Sequence, residues 1–218
     1  MSVQKYPRTY HAPWSDCLAS DDKYIGSLVA FDGKRVIVTE KMDGENTTLM
    51  SDRAFARSID SVHHYSRDWV KAFWATIKND IPKDWRICGE NLWAQHAIAY
   101  NDLKSFFMGF SVWDDRNISL SWDATLEWFD LLGVTPVTAI YDGLYDVAAI
   151  MDAFDAYKKT AGHDVEGYVI RVADEIAYAD FRTHMCKYVR KNLVQLDTAH
   201  WLYGGRAVIP NKLYTEST

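Results

Sequence analysis

Lys41 closes a run rich in β-branched residues, Arg35 to Lys41 (RVIVTEK), and is followed by Met42-Asp43-Gly44-Glu45-Asn46. Side chains alternate along an extended chain, so Asp43 shares a face with Lys41, and Gly44 lets the backbone turn immediately afterwards. A strand-end lysine with a carboxylate on its face and a turn behind it is a mount for a nucleophilic amine. Four further strings carry complementary groups. Arg86-Ile87-Cys88-Gly89-Glu90 ends in a carboxylate, Phe106 to Phe110 (FFMGF) supplies flat apolar faces, Glu166 to Arg171 (EGYVIR) begins with a second carboxylate, and Lys187 to Lys191 (KYVRK) gathers cations. The histidines promise less. His63 and His64 are adjacent and would point to opposite faces of a strand, while His96, His163, His184 and His200 are scattered, so no histidine metal site is expected.

Hydrophobic period and turn residues indicate the elements that must position these groups. Arg35 to Lys41, behind the turn-forming Asp32-Gly33, reads as a strand, and Thr47 to Met50 as its continuation after Gly44, the two together forming a hairpin. Val70, Phe73, Trp74 and Ile77 fall at i, i+3, i+4 and i+7 behind Ser66, a candidate N-cap, which predicts an amphipathic helix covering one face of a sheet. Trp85 to Glu90 and Phe106 to Trp113 read as buried strands. One helix is predicted from Ala124 to Leu132, closing at Gly133, and another carries Val147, Ile150, Phe154 and Tyr157 before Lys158, Lys159 and a terminating Gly162. Gly167 to Val172 and Met185 to Val189 have strand character, and Gly204-Gly205 and Pro210 imply a loose tail. This order predicts an α+β fold with an antiparallel sheet flanked by helices.

The chain has 218 residues, 48% apolar and 25% charged, enough to bury a core. It shows no internal repeat and no interior linker, which predicts one domain over residues 1–218 without a separate C-terminal domain. Its 24 Lys and Arg against 30 Asp and Glu leave a net charge of −6, which argues against indiscriminate coating of nucleic acid and leaves a local basic cleft open. No apolar stretch approaches the roughly 18 to 20 residues of a membrane span, and the N-terminus carries no apolar signal segment. Cys17, Cys88 and Cys186 are odd in number, far apart and without a CxxC pair, so a disulfide framework or zinc cluster is not indicated and a cytoplasmic setting is expected.

Taken in order, the five strings resemble the nucleotidyltransferase motifs of the covalent polynucleotide ligases and capping enzymes. Within that superfamily the chain is similar to the RNA ligase family, in particular to bacterial and phage proteins of this kind. Lys5-Tyr6-Pro7-Arg8-Thr9, Ala56-Arg57-Ser58-Ile59-Asp60 with His63-His64 nearby, and Lys187-Tyr188-Val189-Arg190-Lys191-Asn192 extend the likeness from about residue 5 to 201. The resemblance implies an adenylyltransferase domain, a nucleotidyltransferase of ATP-grasp-like α+β architecture, in which Lys41 attacks the α-phosphorus of ATP, expels pyrophosphate and becomes a lysyl-AMP. A lysine at its reference pKa of about 10.4 is almost wholly protonated at neutral pH, so neighbouring cations, a metal or partial burial must lower it.

The family pattern also implies the remaining roles. Lys187 would hold the α-phosphate. Val189 occupies the place of the family's second lysine, so Arg190 or Lys191 is expected to substitute. Glu90 would accept from the ribose hydroxyls, and Glu166 would hold Mg²⁺ or Mn²⁺, hard cations that the triphosphate helps to coordinate. Phe110 would stack on adenine, Val169 would press on its other face, and Glu40 would stand beside the base through its main chain. Phe106 and Phe107 are the competing aromatics, with core packing their expected fate, and Ser111 stands where relatives often have an aspartate. Arg57 would contact phosphate or RNA, and Asn46 would orient the pyrophosphate or the RNA end.

The implied reaction is ATP-dependent RNA ligation: charging of Lys41, transfer of AMP to an RNA 5′-phosphate, and attack by a 3′-hydroxyl. About 27 residues follow Lys191, too few for another folded domain, so Arg182, Lys187, Arg190, Lys5 and Arg8 are expected to supply the cationic path for RNA. No membrane partner is implied, and the expected unit is the monomer. A DNA nick-sealing ligase and an RNA-capping guanylyltransferase share the lysine-nucleotide intermediate and remain enzyme alternatives. A non-catalytic RNA-end-binding module is the alternative of another class, against which the intact set Lys41, Glu90, Glu166 and Lys187 argues.

Overall fold

The computed structural model describes residues 4–16, 22–57, 63–191 and 208–215. Cys17, the Ser58-Ile59-Asp60 string, Asn192, His200 and Gly204-Gly205 lie outside the described residues.

The elements run β1 (Tyr10–His11), β2 (Arg35–Glu40), β3 (Glu45–Leu49), β4 (Ala54–Ala56), α1 (Asp68–Ile77), β5 (Arg86–Asn91), β6 (Phe107–Trp113), β7 (Ile118–Ser119), α2 (Trp122–Leu132), β8 (Thr135–Pro136), β9 (Ala139–Leu144), α3 (Val147–Lys158), β10 (Gly167–Val172), β11 (Ile176–Ala177), α4 (Phe181–His184) and β12 (Met185–Val189). They build two sheets. The first has the order β1-β12-β10-β2-β9, antiparallel except where β1 lies parallel to β12. The second has the order β11-β7-β6-β5-β3-β4, with β8 parallel beside β6. The fold is α+β with largely antiparallel sheets, as the order of sequence signals predicts.

The run RVIVTE reads as continuous rather than alternating because β2 is covered on both faces. Ile37 joins Met42, Leu92, Met108 and Val137 in the core toward the second sheet. Val36 and Val38, on the other face, join Tyr168 and Ile170 of β10 and Ile150 and Phe154 of α3. On the second sheet, Leu49, Ile87, Phe107 and Val112 pack with Val70 and Ile77 of α1 and Phe129 and Leu132 of α2. The helix ends follow local chemistry: Ser121 Oγ accepts from Ala124 N at the start of α2, Gly133 closes that helix at φ 66°, and Asp146 accepts from the amides of Ala148 and Ala149 at the start of α3.

Two sequence expectations need correction, and strand β9 went unread. The expected hairpin of β2 and β3 does not form, because the strands belong to different sheets. Both edges of β2 are occupied, by β10 and β9, and both edges of β3 by β5 and β4, so Lys41 to Gly44 crosses between sheets instead of turning back. Gly44 makes the crossing possible, since a Cβ there would stand 2.6 Å from the Asn91 carbonyl oxygen. Ser66 is not the cap of α1: a 3-10 turn, Tyr65–Arg67, precedes that helix, and His64 Nδ1 accepts from Ser66 N. Finally, β9 escaped the sequence reading because Ala139–Leu144 (AIYDGL) carries a turn-like Asp-Gly pair and sits exposed at the sheet edge, paired with β2 across an irregularity at Val38/Thr39.

Candidate active site

Strand register gathers the site. Across the first sheet, Thr39 stands opposite Val169 and Val169 opposite Lys187, forming one row on the face toward the second sheet. The alternation that places this row inward sends Glu40, Tyr168 and Tyr188 to the face covered by α3. One residue beyond the Tyr168–Glu40 pair, Lys41 N donates to Gly167 O at 3.0 Å. Glu166 thereby arrives against the Lys41 side chain, and Lys41 Nζ donates to its Oε2 at 2.5 Å. The row opens into a cleft of about 430 Å³ between the sheets, within the range of ligand pockets, with the N-terminal segment Tyr6 to Thr9 along its rim.

Lys41, Asn46, Arg57, Glu90, Phe110, Val169 and Lys187 all line this cleft, and so does Glu40. Glu166 lies behind Lys41, 1% exposed. Arg190 does not line the cleft. It shares the strand parity of Tyr188, opposite to that of Lys187, and its guanidinium meets Asp164 at 3.3 Å while its amide donates to Glu166 O. Lys191 is exposed beyond the end of β12. Of the three candidate phenylalanines, Phe107 is buried beside Phe73, Phe106 stands edge-on to Trp69 at 5.4 Å, and Phe110 faces the cleft with Tyr6 edge-on to it at 5.1 Å. Ser111, beside it on β6, is buried and its Oγ accepts from Trp113 Nε1.

The charges are strongly coupled. Burial presses the Lys41 amine toward neutrality, but the Glu166 carboxylate and its hydrogen bond outweigh burial and hold the pKa above the usual lysine value. Glu166 is raised by burial, with Lys41 opposing. Glu90 is pushed up to about 8 by burial, with Glu166 and Asp43 adding to the push. Negative charge is therefore in excess around Glu90, Glu166 and Asp43, an environment that a divalent cation relieves. Among the described residues no group of three or more His, Cys, Asp or Glu is gathered into a metal cage.

Along the same sheet, Lys187 is lowered by burial and by Lys41. Its counter-ion is Asp22 at 3.6 Å, which also lies 3.4 Å from Arg8 and 3.1 Å from His11 Nε2. His11 stands beside Lys187 through the β1–β12 pairing, and its Nδ1 meets Ser15 Oγ at 2.7 Å, which in turn accepts from Val189 N at 3.0 Å. Arg171 backs the cleft, donating to the carbonyls of Leu120 and Val172, with burial lowering its pKa to about 10. Five cations, Arg8, Lys41, Arg57, Arg171 and Lys187, thus line one cleft of a chain with net charge −6.

Asp22, His11, Thr39 and Val137 were not legible as site residues. Asp22 sits in an irregular segment, and Thr39 and Val137 are ordinary core residue types, so no periodic or turn signal marked them.

The fold and this site define a ligase-type nucleotidyltransferase domain. The RNA ligase family model matches residues 34–189, and the chain belongs to that family. Among solved structures, it is similar to an archaeal ATP-dependent RNA ligase, with 18% identity and a TM-score of 0.55, covering 86% of this chain and 48% of that one. A Naegleria gruberi RNA ligase variant with ATP and Mn gives 13% identity and a TM-score of 0.58, covering 87% and 56%. A putative ATP-dependent DNA ligase from Aquifex aeolicus gives 15% identity and a TM-score of 0.56, covering 86% and 50%. The chain thus spans about half the length of these relatives. No curated protein matches it significantly.

Proposed function

We propose that this chain is an ATP-dependent RNA ligase that charges Lys41 with AMP, passes the AMP to an RNA 5′-phosphate and seals that end to a 3′-hydroxyl. The observation that carries the reading is the Lys41 amine on the floor of the cleft, with Glu166 at 2.5 Å and Lys187 in the row across β10. Adenine fits the slot between Phe110 and Val169, with the Glu40 main chain at its edge. Glu90 accepts from the ribose, and Lys187 takes the α-phosphate. Asn46 and Arg57, joined by the Arg57 N to Asn46 O bond, face the pyrophosphate or the RNA end. Arg190 acts from outside the cleft through its backbone bond to Glu166 O.

Glu166 would hold Mg²⁺ or Mn²⁺, which supplies charge neutralisation for the triphosphate. Glu166 holds the Lys41 pKa above the usual lysine value, so the resting side chain is the protonated ammonium. Glu166 is the foremost of the groups that hold this proton, so engaging it elsewhere moves Lys41 toward the free amine, with burial and Lys187 favouring loss of the proton and Glu90 and Asp43 still opposing it. The residue that holds the proton at rest is therefore the one whose departure releases the nucleophile. A reducing cytoplasmic setting completes the reading, in which Cys88 and Cys186 are buried free thiols.

The test is incubation with labelled ATP or GTP, with and without chelator, followed by a denaturing gel. Label from ATP in the presence of metal, absent in Lys41→Ala, is expected. Retention of label by Lys41→Ala removes Lys41 from its role, and label from GTP alone turns the reading to a capping enzyme. Joining assays on 5′-phosphorylated single-stranded RNA, nicked RNA duplex and nicked DNA then separate RNA sealing from DNA sealing. Charging without any joining points to an end-binding module.

A further inference from the structure

Glu40 contributes main chain to the cleft, but its carboxylate lies on the other face of the first sheet, 1% exposed. There it accepts from the Tyr157 hydroxyl at 2.5 Å and meets His163 Nε2 at 2.7 Å. Tyr157 comes from the last turn of α3, and His163 from the loop that leads into Glu166. Burying a carboxylate this deeply is costly without a cationic or hydrogen-bonding partner, and His163 is its ion-pair partner among the described residues.

The imidazole has a second contact. Its ring stands edge-on to Tyr100 at 4.9 Å. The Tyr100 hydroxyl accepts from Asp43 N at 3.0 Å, and Asp43 Oδ2 accepts from Ile98 N at 2.9 Å. His163 therefore touches both brackets of Lys41: Glu40 directly before it, and Asp43, two residues after it, through Tyr100. Three residues further along its own loop, Glu166 pairs with Lys41.

We propose that His163, in its imidazolium form, is a positioning residue for charging of Lys41: it ties Glu40 and Tyr100 together and so keeps Lys41 and Glu166 in register. This rests on the lysyl-AMP reading above. Burial pulls the imidazole pKa down, but the hydrogen bond and charge of Glu40, with Asp102 adding, carry it above the usual value. The groups facing it are Glu40 from β2, Tyr157 from α3, and Tyr100 and Asp102 from the segment between β5 and β6. A histidine with a raised folded-state pKa contributes fully below its ordinary pKa of about 6.5, and that contribution is lost as pH rises through the folded value above it.

The experiment has two arms. In single-turnover charging from pH 5.5 to 9, the wild-type log rate climbs as Lys41 deprotonates and bends to a lower slope above pH about 6.5. His163→Gln keeps a donor for Glu40 but has no proton to lose, so its profile starts several-fold lower and climbs without the bend. A bend that persists unmoved in His163→Gln overturns the proposal, as does a wild-type profile in that variant. In the second arm, NMR follows the His163 ring. Its midpoint lies above the ordinary value in wild type and falls in Glu40→Gln, where only Asp102 and the Ala161 backbone still oppose burial, and the amides of Lys41 and Gly167 titrate with the same midpoint in wild type. Equal midpoints in the two chains, or Lys41 and Gly167 amides that ignore the titration, also overturn it. A wild-type chain that takes no label from ATP sinks the nucleotidyl-transfer reading, while the NMR arm still decides whether His163 governs the backbone at Lys41.

Discussion

Gly167 stands between Glu166 and the strand that faces Lys187, and replacing it with alanine tests whether β10–β12 register builds the site. A Cβ at this position would lie 1.9 Å from the Tyr188 carbonyl oxygen, 2.9 Å from its carbon and 3.1 Å from Val189 Cα. These are backbone atoms of the paired strand and cannot rotate away, so the strands must part by about 1 Å to restore contact distances. Such overpacking costs about 3 kcal/mol, which for a domain of this size lowers Tm by roughly 6–12 °C. Parting the strands also shifts Glu166 and Lys187 relative to Lys41, and a misplacement near 1 Å is expected to slow charging by about 10²-fold. Gly26→Ala is the control: nothing lies within 4 Å of its added Cβ, and the change should stay within about 0.5 kcal/mol. Calorimetric melting gives the stability, and labelled-ATP charging at a temperature where both variants are folded gives the rate. If Gly167→Ala melts within about 1 °C of wild type and charges at its rate, the register argument is wrong.

Other perturbations read the electrostatics. Glu90 has a folded-state pKa of about 8, raised above the unfolded carboxyl value, so ionising it opposes folding and stability is lost as pH rises from about 4.5 to 8. Glu90→Gln should therefore match wild type in melting at pH 5 and exceed it by several degrees at pH 8.5; equal melting at both values refutes the assignment. Asp22 competes with an incoming anion for Arg8 and Lys187. Pyrophosphate should bind Asp22→Asn about tenfold more tightly in calorimetry, equivalent to roughly 1.4 kcal/mol, and weaker binding would show that Asp22 orients Lys187 instead.

Much of the candidate site was legible because its residues sit in short strings whose geometry is local. Lys41 immediately after β2, Glu90 near the end of β5, Glu166 immediately before β10 and Lys187 within β12 follow from alternation and turn residues, which act over a few residues. The caps at Ser121, Asp146 and Gly133 are local too. Even Arg190 was decidable in principle, since its odd spacing from Lys187 sends it to the other face.

What the chain alone left open is pairing between distant strands. Whether β2 pairs with β3 or with β10 depends on which edges are filled by segments more than a hundred residues away, and that competition is invisible in any window. The same holds for Asp22 reaching Lys187 and for His163 reaching Glu40, contacts that span 165 and 123 residues. Residue type and spacing, with the family resemblance they carry, therefore nominated the groups proposed for the chemistry. Long-range packing decided which counter-ion each one meets, because a buried charge takes whatever partner the fold brings within reach.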